Sequence, residues 1–181
     1  MTQAAPLSRD AVARRIAEVA LLRGEFTLRS GRKSSYYLDK YLFETQPDIL
    51  LALGKLFADR LPPDTDRLAG PELGAVALAA AVSMASGKPF VLVRNAKKGY
   101  GSSKMIEGTL KPGEKVVIIE DILTTGGQIV EAAKNLEAAG AKVIKMLGTI
   151  DRLEGARENI EAAGYSYESL FTTKDLGIGG E

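Results

Sequence analysis

VVIIEDILTTGGQ, residues 116 to 128, joins four apolar residues to two acids and then to a Thr-Thr-Gly-Gly turn. An unbroken apolar run is typical of a strand that is buried on both faces, as in parallel sheets. Residues 128 to 139 have helical spacing and are followed by Gly140, a residue type that commonly ends helices. The stretch therefore predicts a strand–turn–helix unit, with its strand over residues 116–119.

Strands and helices alternate on both sides of this unit. The other predicted strands are 67–69, 90–93 and 143–150, and the other predicted helices are 8–22, 47–61, 75–86 and 157–163. This alternation predicts an α/β fold with a central, mainly parallel sheet and helices on both faces. Two β-type runs flank Ser30-Gly31 within residues 26–43 and predict a hairpin-like element. We expect one domain over residues 1–181, with a small N-terminal hood at about 1–45 and a core at about 46–176.

The composition limits the chemistry that is available to the chain. Its 181 residues include no cysteine and no histidine. Their absence excludes thiol nucleophiles, thiolate metal sites, Ser-His-Asp triads and almost every zinc site. Catalysis must therefore rely on Lys, Arg, Asp, Glu, Tyr, hydroxyls, backbone amides or a hard cation such as Mg²⁺.

Charge and hydropathy limit the partners. Lys and Arg number 24 and Asp and Glu number 23, which gives a formal net charge of +1. A near-neutral chain is not expected to bind nucleic acid or an anionic membrane over a large surface. Residues 1–10 lack the apolar segment of a secretory signal, and the most apolar stretch, 73–86, is shorter than the ~20 residues of a transmembrane helix. We expect a cytoplasmic protein.

The turn after the acids has the features of a phosphate-binding site. Backbone N–H groups near Thr124 to Gln128 can converge on one anion at the start of a helix. Glu120 and Asp121 would repel a phosphate, so we expect them to face ribose hydroxyls or a bound Mg²⁺. The pattern indicates a sugar phosphate, although a plain strand–turn–helix with a Thr cap would also contain the Thr and Gly residues. Neither a Walker A string nor a dinucleotide-binding G-x-G-x-x-G in its usual context is present.

A long connection, RNAKKGYGSSKMIEG (94–108), has neither helical nor strand periodicity. It carries Arg94, Lys97, Lys98 and Lys104 among glycines and serines. A loop of this length in a compact domain is often a functional lid, and its cations suit a phosphorylated ligand. The alternative is a solvated surface loop.

These segments together resemble a known enzyme family. VVIIEDILTTGGQ resembles the binding signature for 5-phosphoribosyl 1-diphosphate (PRPP) in type I phosphoribosyltransferases. FTLRSGRKSSYY (26–37), VRNAKKGYGSSKMIEG (93–108), DRLEG (151–155) and SLFTTKDL (169–176) resemble segments of the orotate phosphoribosyltransferases in particular. The resemblance spans about residues 8 to 176. It implies transfer of the phosphoribosyl group from PRPP to orotate (EC 2.4.2.10), giving orotidine 5′-phosphate and diphosphate in pyrimidine biosynthesis.

The resemblance also assigns roles to residues. PRPP binding falls to Arg94, Lys98, Tyr100, Glu120, Asp121, Ile122, Leu123, Thr124, Thr125, Gly126, Gly127 and Gln128. Orotate binding falls to Arg29, Tyr36, Tyr37, Thr124 and Arg152. Lys98 and Asp121 are the expected catalytic residues. A homodimer with shared active sites is implied, with Mg²⁺ held mainly through PRPP rather than by a protein metal site.

Several positions depart from the family pattern. Gln128 ends the PRPP signature where Ser, Thr or Ala is usual, Asn95 replaces a lysine, and Tyr100 stands where many members have histidine. No lysine occurs in the turn from Gly70 to Gly74, where some members have one. The alternatives are another type I transferase acting on a purine or uracil, a non-catalytic PRPP-sensing regulator, and, third, a dinucleotide-binding enzyme.

Overall fold

A computed structural model of the chain describes residues 7–27, 31, 33–95 and 105–178. Their helices are α1 (Arg9–Ala20), α2 (Lys40–Glu44), α3 (Pro47–Ala58), α4 (Ala75–Ser86), α5 (Gly127–Ala138) and α6 (Ala156–Ala162), with a 3-10 helix at Thr173–Leu176. Their strands are β1 (Leu21–Thr27), β2 (Lys33–Leu38), β3 (Arg67–Pro71), β4 (Phe90–Val93), β5 (Ile106–Glu107), β6 (Lys115–Leu123), β7 (Lys142–Asp151) and β8 (Tyr167–Thr172).

Six of these strands form one sheet in the order β5-β4-β3-β6-β7-β8. All neighbouring pairs are parallel except β4 with β5 at one edge. The carboxyl ends of β3, β6 and β7 therefore lie side by side at one edge of the sheet. Ligand sites of open α/β sheets lie at this edge.

Apolar side chains alternate along β6 and supply a core on each face. Val117 and Ile119 pack with α1, α3 and α4, whereas Val116 and Ile118 pack with α5 and α6. All four side chains are completely buried. The two cores confirm the predicted parallel sheet with helices on both of its faces.

The N-terminal hood contains an antiparallel strand pair, as the sequence predicted, but its first strand begins at Leu21 rather than at residue 26, and residues 40–44 form a helix. Strands β1 and β2 pair antiparallel as a separate two-stranded sheet, with Leu21 opposite Leu38. Helix α1 begins after Ser8, whose hydroxyl accepts a hydrogen bond from the Ala11 N–H. The helix ends at Ala20 rather than at residue 22, because the chain enters β1 at Leu21.

The predicted core strands 67–69, 116–119 and 143–150 were too short, helix α3 ends at Ala58 rather than at residue 61, and some elements were missed. β6 continues to Leu123, so that Glu120 and Asp121 belong to the strand rather than follow it. β8 and α2 were not predicted, and neither was β5, which lies in the connection that shows no strand periodicity. No helix in the described part of the chain is long and apolar enough to cross a membrane.

Candidate active site

A cavity of about 250 Å³ opens at the carboxyl end of β6. Its lining consists of Glu120, Ile122, Leu123, Thr124, Thr125, Gly126, Gly127, Gln128 and Ile129. The structure thus brings together almost the whole predicted PRPP-binding turn. Asp121 is not among the lining residues.

The turn between β6 and α5 presents its backbone to this cavity. Gly126 has φ +76°, and a Cβ at this position would lie 2.9 Å from the Ile160 side chain. Both the conformation and the close contact therefore require glycine. No side chain caps the start of α5 in the described structure, so the first amide groups of this helix can donate to a bound anion. The Asn159 side chain fixes the turn by donating to the Thr125 carbonyl at 2.9 Å.

The two acids of β6 are both buried. Glu120 accepts a hydrogen bond from the Asp121 N–H at 3.0 Å, and Asp121 Oδ1 accepts one from the Ile122 N–H. Burial, followed by the nearby negative charge of Asp121, raises the pKa of Glu120 well above its ordinary value. A group that hydrogen-bonds to the carboxyl of Glu120, such as a ribose hydroxyl, would meet it in a largely dry environment.

The second oxygen of Asp121 is bound by a residue that the sequence reasoning missed. Lys40 Nζ, at the start of α2, donates to Asp121 Oδ2 at 2.7 Å. The two side chains meet against Gly74, in the turn after β3. A Cβ on Gly74 would overlap Asp121 Oδ2 and lie 2.9 Å from Lys40 Nζ. Gly74 is therefore required by close packing, and the hood supplies a cation to β6.

A third carboxyl group, that of Glu44, lies one helical turn after Lys40. Glu44 is 4% exposed, and its Oε1 has no hydrogen-bond partner in the described structure. Burial, and then the charge of Asp121, raises the pKa of Glu44 to about 8. The sequence gives no sign of this residue because its environment is made by contacts far along the chain.

Arg152 follows β7 and meets the hood. Its guanidinium carbon lies 6.0 Å from the centroid of the Tyr36 ring, and its Nη2 lies 3.0 Å from a carboxylate oxygen of Glu154. Its Nε is buried without a hydrogen-bond partner among the described residues. The backbone N–H of Arg152 donates to the Leu123 carbonyl at 2.9 Å, which holds the residue beside the end of β6. Arg152 thus lies against Tyr36, and its backbone is bonded to the last residue of β6, directly before the turn of residues 124–127.

The turn that carries Arg152 is fixed by a buried acid. Asp151 accepts hydrogen bonds from the Leu153 N–H at 2.8 Å and from the Tyr167 hydroxyl at 3.1 Å. Burial and the neighbouring Asp151 raise the pKa of Tyr167, so this hydroxyl remains a donor at neutral pH. Asp151 therefore fixes the turn that carries the predicted orotate-binding arginine, a role that the sequence did not reveal.

Arg94 lies at the end of β4 and faces acids in this structure. Its Nη1 is 3.4 Å from Glu72 Oε2 and 4.0 Å from Glu107 Oε1. It lines a second cavity of about 350 Å³ together with Gln128, which also lines the first. The Asn95 N–H and side-chain amide both donate to Glu72 at 2.9 Å, so this departure from the family pattern holds the turn after β3.

Of the remaining predicted site residues, the structure describes the two tyrosines of β2. Tyr36 is half-buried against the core, whereas Tyr37 is 44% exposed and packs on Phe26 with ring centroids 5.7 Å apart. Adjacent residues of a strand face opposite sides of its sheet, which accounts for this difference. Arg29, Lys98 and Tyr100 lie outside the described residues.

Comparisons with known proteins agree with this geometry. Residues 42–167 match the model of the phosphoribosyl transferase domain. The orotate phosphoribosyltransferase of Methanocella arvoryzae is 48% identical over 84% of this chain and 87% of that protein. That of Haloquadratum walsbyi is 46% identical over 94% of this chain and 93% of that protein.

A solved structure extends the similarity to three dimensions. The crystal structure of Mycobacterium tuberculosis orotate phosphoribosyltransferase in complex with PRPP superposes with a TM-score of 0.81 at 31% identity. The match covers 94% of this chain and 99% of that one. With the phosphate turn, the buried acids and the arginine at the end of β7, these similarities show that the chain belongs to the orotate phosphoribosyltransferase family.

Proposed function

We infer that the chain transfers the 5-phosphoribosyl group from PRPP to orotate, giving orotidine 5′-phosphate and diphosphate in pyrimidine biosynthesis. This conclusion rests on the relative positions of three parts of the site. A phosphate-binding turn after β6 lies next to Arg152 at the end of β7, and the hood residue Tyr36 lies against that arginine.

Each chemical group of PRPP and orotate suits a different part of the site. The 5′-phosphate suits the amides and hydroxyls from Thr124 to Gln128, because a helix N-terminus favours an anion. The ribose hydroxyls suit Glu120 and Asp121, which can accept hydrogen bonds from them. The orotate carboxylate suits the guanidinium of Arg152, which offers two parallel donors.

The reaction forms a carbon–nitrogen bond and breaks a carbon–oxygen bond at C1 of the ribose. The orotate nitrogen supplies the electron pair for the new bond and gives up its proton to solvent or to the diphosphate, which leaves with the pair of the old bond. Positive charge develops on the ribose in between, and the negative charge of Asp121 favours it, while Glu120 can accept a hydrogen bond from a ribose hydroxyl. Lys98 serves the leaving diphosphate, either as a proton donor or through its charge alone.

We propose Mg²⁺ as the cofactor, held chiefly by oxygens of PRPP. The donor set fits, since Mg²⁺ prefers oxygen ligands and retains several waters. Glu120 and Asp121 are the acids of the predicted PRPP-binding stretch, and no group of three or more acids that could hold a metal occurs among the described residues. When bound, the ion would neutralise charge on the departing diphosphate.

We also propose a homodimer with shared active sites and a cytoplasmic location. Three large apolar side chains, Leu51, Leu73 and Met84, are between 67% and 82% exposed. The proposal follows from the family resemblance, which implies a homodimer, and these exposed side chains are candidates for the surface that a second subunit would cover. The location is consistent with a chain that has no cysteine for the disulfides common in secreted proteins.

The function is tested by incubating the protein with PRPP, Mg²⁺ and orotate and following the loss of orotate absorbance. Uracil, hypoxanthine and adenine serve as alternative acceptors. We expect turnover of orotate alone. Turnover of a purine or uracil instead would make the chain a different type I transferase, and PRPP binding without any turnover would make it a PRPP-sensing regulator.

A further inference from the structure

Lys40 brings a positive charge from the hood into the most acidic part of the site. Its ammonium lies 2.7 Å from Asp121 Oδ2, and its side chain keeps 34% of its surface exposed. Asp121 itself is 5% exposed. The lysine is therefore the half of the pair that a ligand can reach.

The position of the ammonium is fixed by the turn after β3. Because Gly74 has no side chain, Lys40 Nζ occupies space only 2.9 Å from where a Cβ would stand. This turn contains no lysine of its own. A cation is nevertheless present there, and it comes from a different element of the chain.

The ammonium has hydrogen-bonding capacity to spare. Lys40 has three N–H donors, and the structure records one hydrogen bond from them among the described residues, to Asp121. Its remaining donors suit an anionic oxygen. Asp121 would hold the ammonium in place while a ligand is absent and while it is bound.

The order of the strands indicates which part of PRPP the ammonium would meet. The turn after β3, with Lys40, lies on one side of β6, and Arg152 at the end of β7 lies on the other. In a displacement at C1 of the ribose, the nucleophile and the leaving group occupy opposite faces of that carbon. If orotate lies on the β7 side with Arg152, the diphosphate lies on the β3 side with Lys40.

We propose that Lys40 is a substrate-binding residue whose ammonium contacts the diphosphate of PRPP and the diphosphate product. The proposal rests on the proposed transfer from PRPP to orotate, and it adds a residue of the hood to that site. Asp121 then has two functions, since it binds the ribose and also positions this cation.

The competing explanation is that Lys40 only neutralises Asp121. The two roles predict different results for two ligands of the reverse reaction. Orotidine 5′-phosphate occupies the phosphate turn and the orotate site but has no diphosphate. Diphosphate added to the enzyme saturated with orotidine 5′-phosphate must use the leaving-group site.

The test titrates Mg-diphosphate by calorimetry into the enzyme saturated with orotidine 5′-phosphate, for wild type, K40M, K40R and K142M. Lys142 is an exposed residue at the opposite end of the sheet, at the start of β7, and provides the matched control. We expect K40M to weaken diphosphate binding about tenfold or more, the loss typical of a hydrogen bond to a charged group. K40R should retain part of the affinity, and K142M should match wild type.

Binding of orotidine 5′-phosphate alone should change less than about twofold in K40M. Equal weakening of both ligands, or an unchanged diphosphate affinity, would overturn the proposal. Turnover of orotate by the wild type tests the proposed function separately, so the two can fail independently.

A double variant keeps the proposal testable if K40M is poorly folded. K40M/D121N replaces the ion pair by two uncharged side chains of similar size. If Lys40 contacts diphosphate, the double variant should bind it at least about tenfold more weakly than D121N does. Recovery of affinity in the double variant would show that Lys40 acts only as the counterion of Asp121.

Discussion

The guanidinium carbon of Arg152 lies 6.0 Å from the ring centroid of Tyr36, which joins the end of β7 to the hairpin of the hood. The two residues are 116 positions apart in the sequence. A guanidinium at this distance from an aromatic ring is held by a cation–π interaction. Through this contact the hood and the sheet together form the place that we assign to orotate.

Asp121→Asn should reduce turnover at least about a hundredfold and change the thermal unfolding midpoint (Tm) by only a few degrees. The substitution removes the negative charge that favours the transition state. Such electrostatic contributions are typically about 3 kcal/mol in active sites, which corresponds to a loss of at least about a hundredfold. Lys40, a third exposed, can be solvated when its partner is neutral. Steady-state kinetics and thermal melts provide the measurement.

The matched control for Asp121→Asn is Asp64→Asn. Asp64 makes an equally short ion pair, 2.6 Å from Lys115 Nζ, but is 54% exposed at the surface. Exposed pairs contribute little, so both activity and Tm should remain near the wild-type values. A large loss of Tm in Asp121→Asn with activity intact would make Asp121 a structural residue.

Subunits with different defects should complement each other if active sites are shared. Lys98→Ala and Asp121→Asn are each expected to be inactive. In hybrid dimers, one of the two sites would receive both native residues. Mixing the variants should therefore restore activity, up to about a quarter of the wild-type value per subunit for random pairing. Mass spectrometry of tagged subunits checks exchange, and complete exchange without activity would contradict shared sites.

Glu44→Gln should raise stability in a pH-dependent way. The pKa of Glu44 is raised to about 8 in the folded state, first by burial and then by the charge of Asp121. Asp39 also raises this pKa, and Lys40 lowers it. A raised pKa means that the folded protein holds the proton of Glu44 more tightly than the unfolded chain does. The stability that this proton contributes is therefore fully present below about pH 4.5, and it is lost as the pH rises to about 8. Glutamine removes this loss.

Thermal melts of wild type and Glu44→Gln between pH 5 and pH 9 measure the effect. The variant should gain stability relative to wild type as the pH rises, on the order of 2–4 kcal/mol at pH 8.5. Glu158→Gln, at an exposed position of α6, is the control and should show no such trend. A difference between Glu44→Gln and wild type that is the same at every pH would rule out the raised pKa as its cause.

The sequence predicted those parts of the fold and site that depend on neighbouring residues. The run from Val116 to Ile119 and the glycines after it have strong local preferences, and the structure confirms the unit that they form. β8 was missed because its segment, YESLFT, mixes polar and apolar residues, and the neighbouring β7 provides its pairing.

The contacts that complete the site are not local. Lys40 and Asp121 are 81 residues apart, and no spacing in the sequence relates them. The buried Asp151 that orients the arginine turn accepts a hydrogen bond from Tyr167, on a strand that was not predicted. Such pairs arise from strand order and from the placement of the hood, so composition and periodicity contain no signal for them.

Arg152→Ala should weaken orotate binding about ten- to a hundredfold and leave PRPP binding nearly unchanged. The side chain is 18% exposed, and its buried Nε has no hydrogen-bond partner among the described residues. An unpaired buried donor is costly, and a carboxylate ligand would satisfy it. The loss of a charge-assisted contact of this kind corresponds to about 1.5–3 kcal/mol.

Two further variants separate recognition of orotate from other effects of losing Arg152. Arg152→Lys should recover only part of the affinity, because an ammonium keeps the charge but not the paired donors of the guanidinium. Arg157→Ala removes an exposed arginine that pairs with Glu161 at 3.1 Å on α6, and it should bind orotate as wild type does. Calorimetric titration of orotate and of Mg-PRPP into each variant gives the affinities. If Arg152→Ala weakens both ligands equally, Arg152 supports the whole site, and if it weakens neither, another group binds the orotate carboxylate.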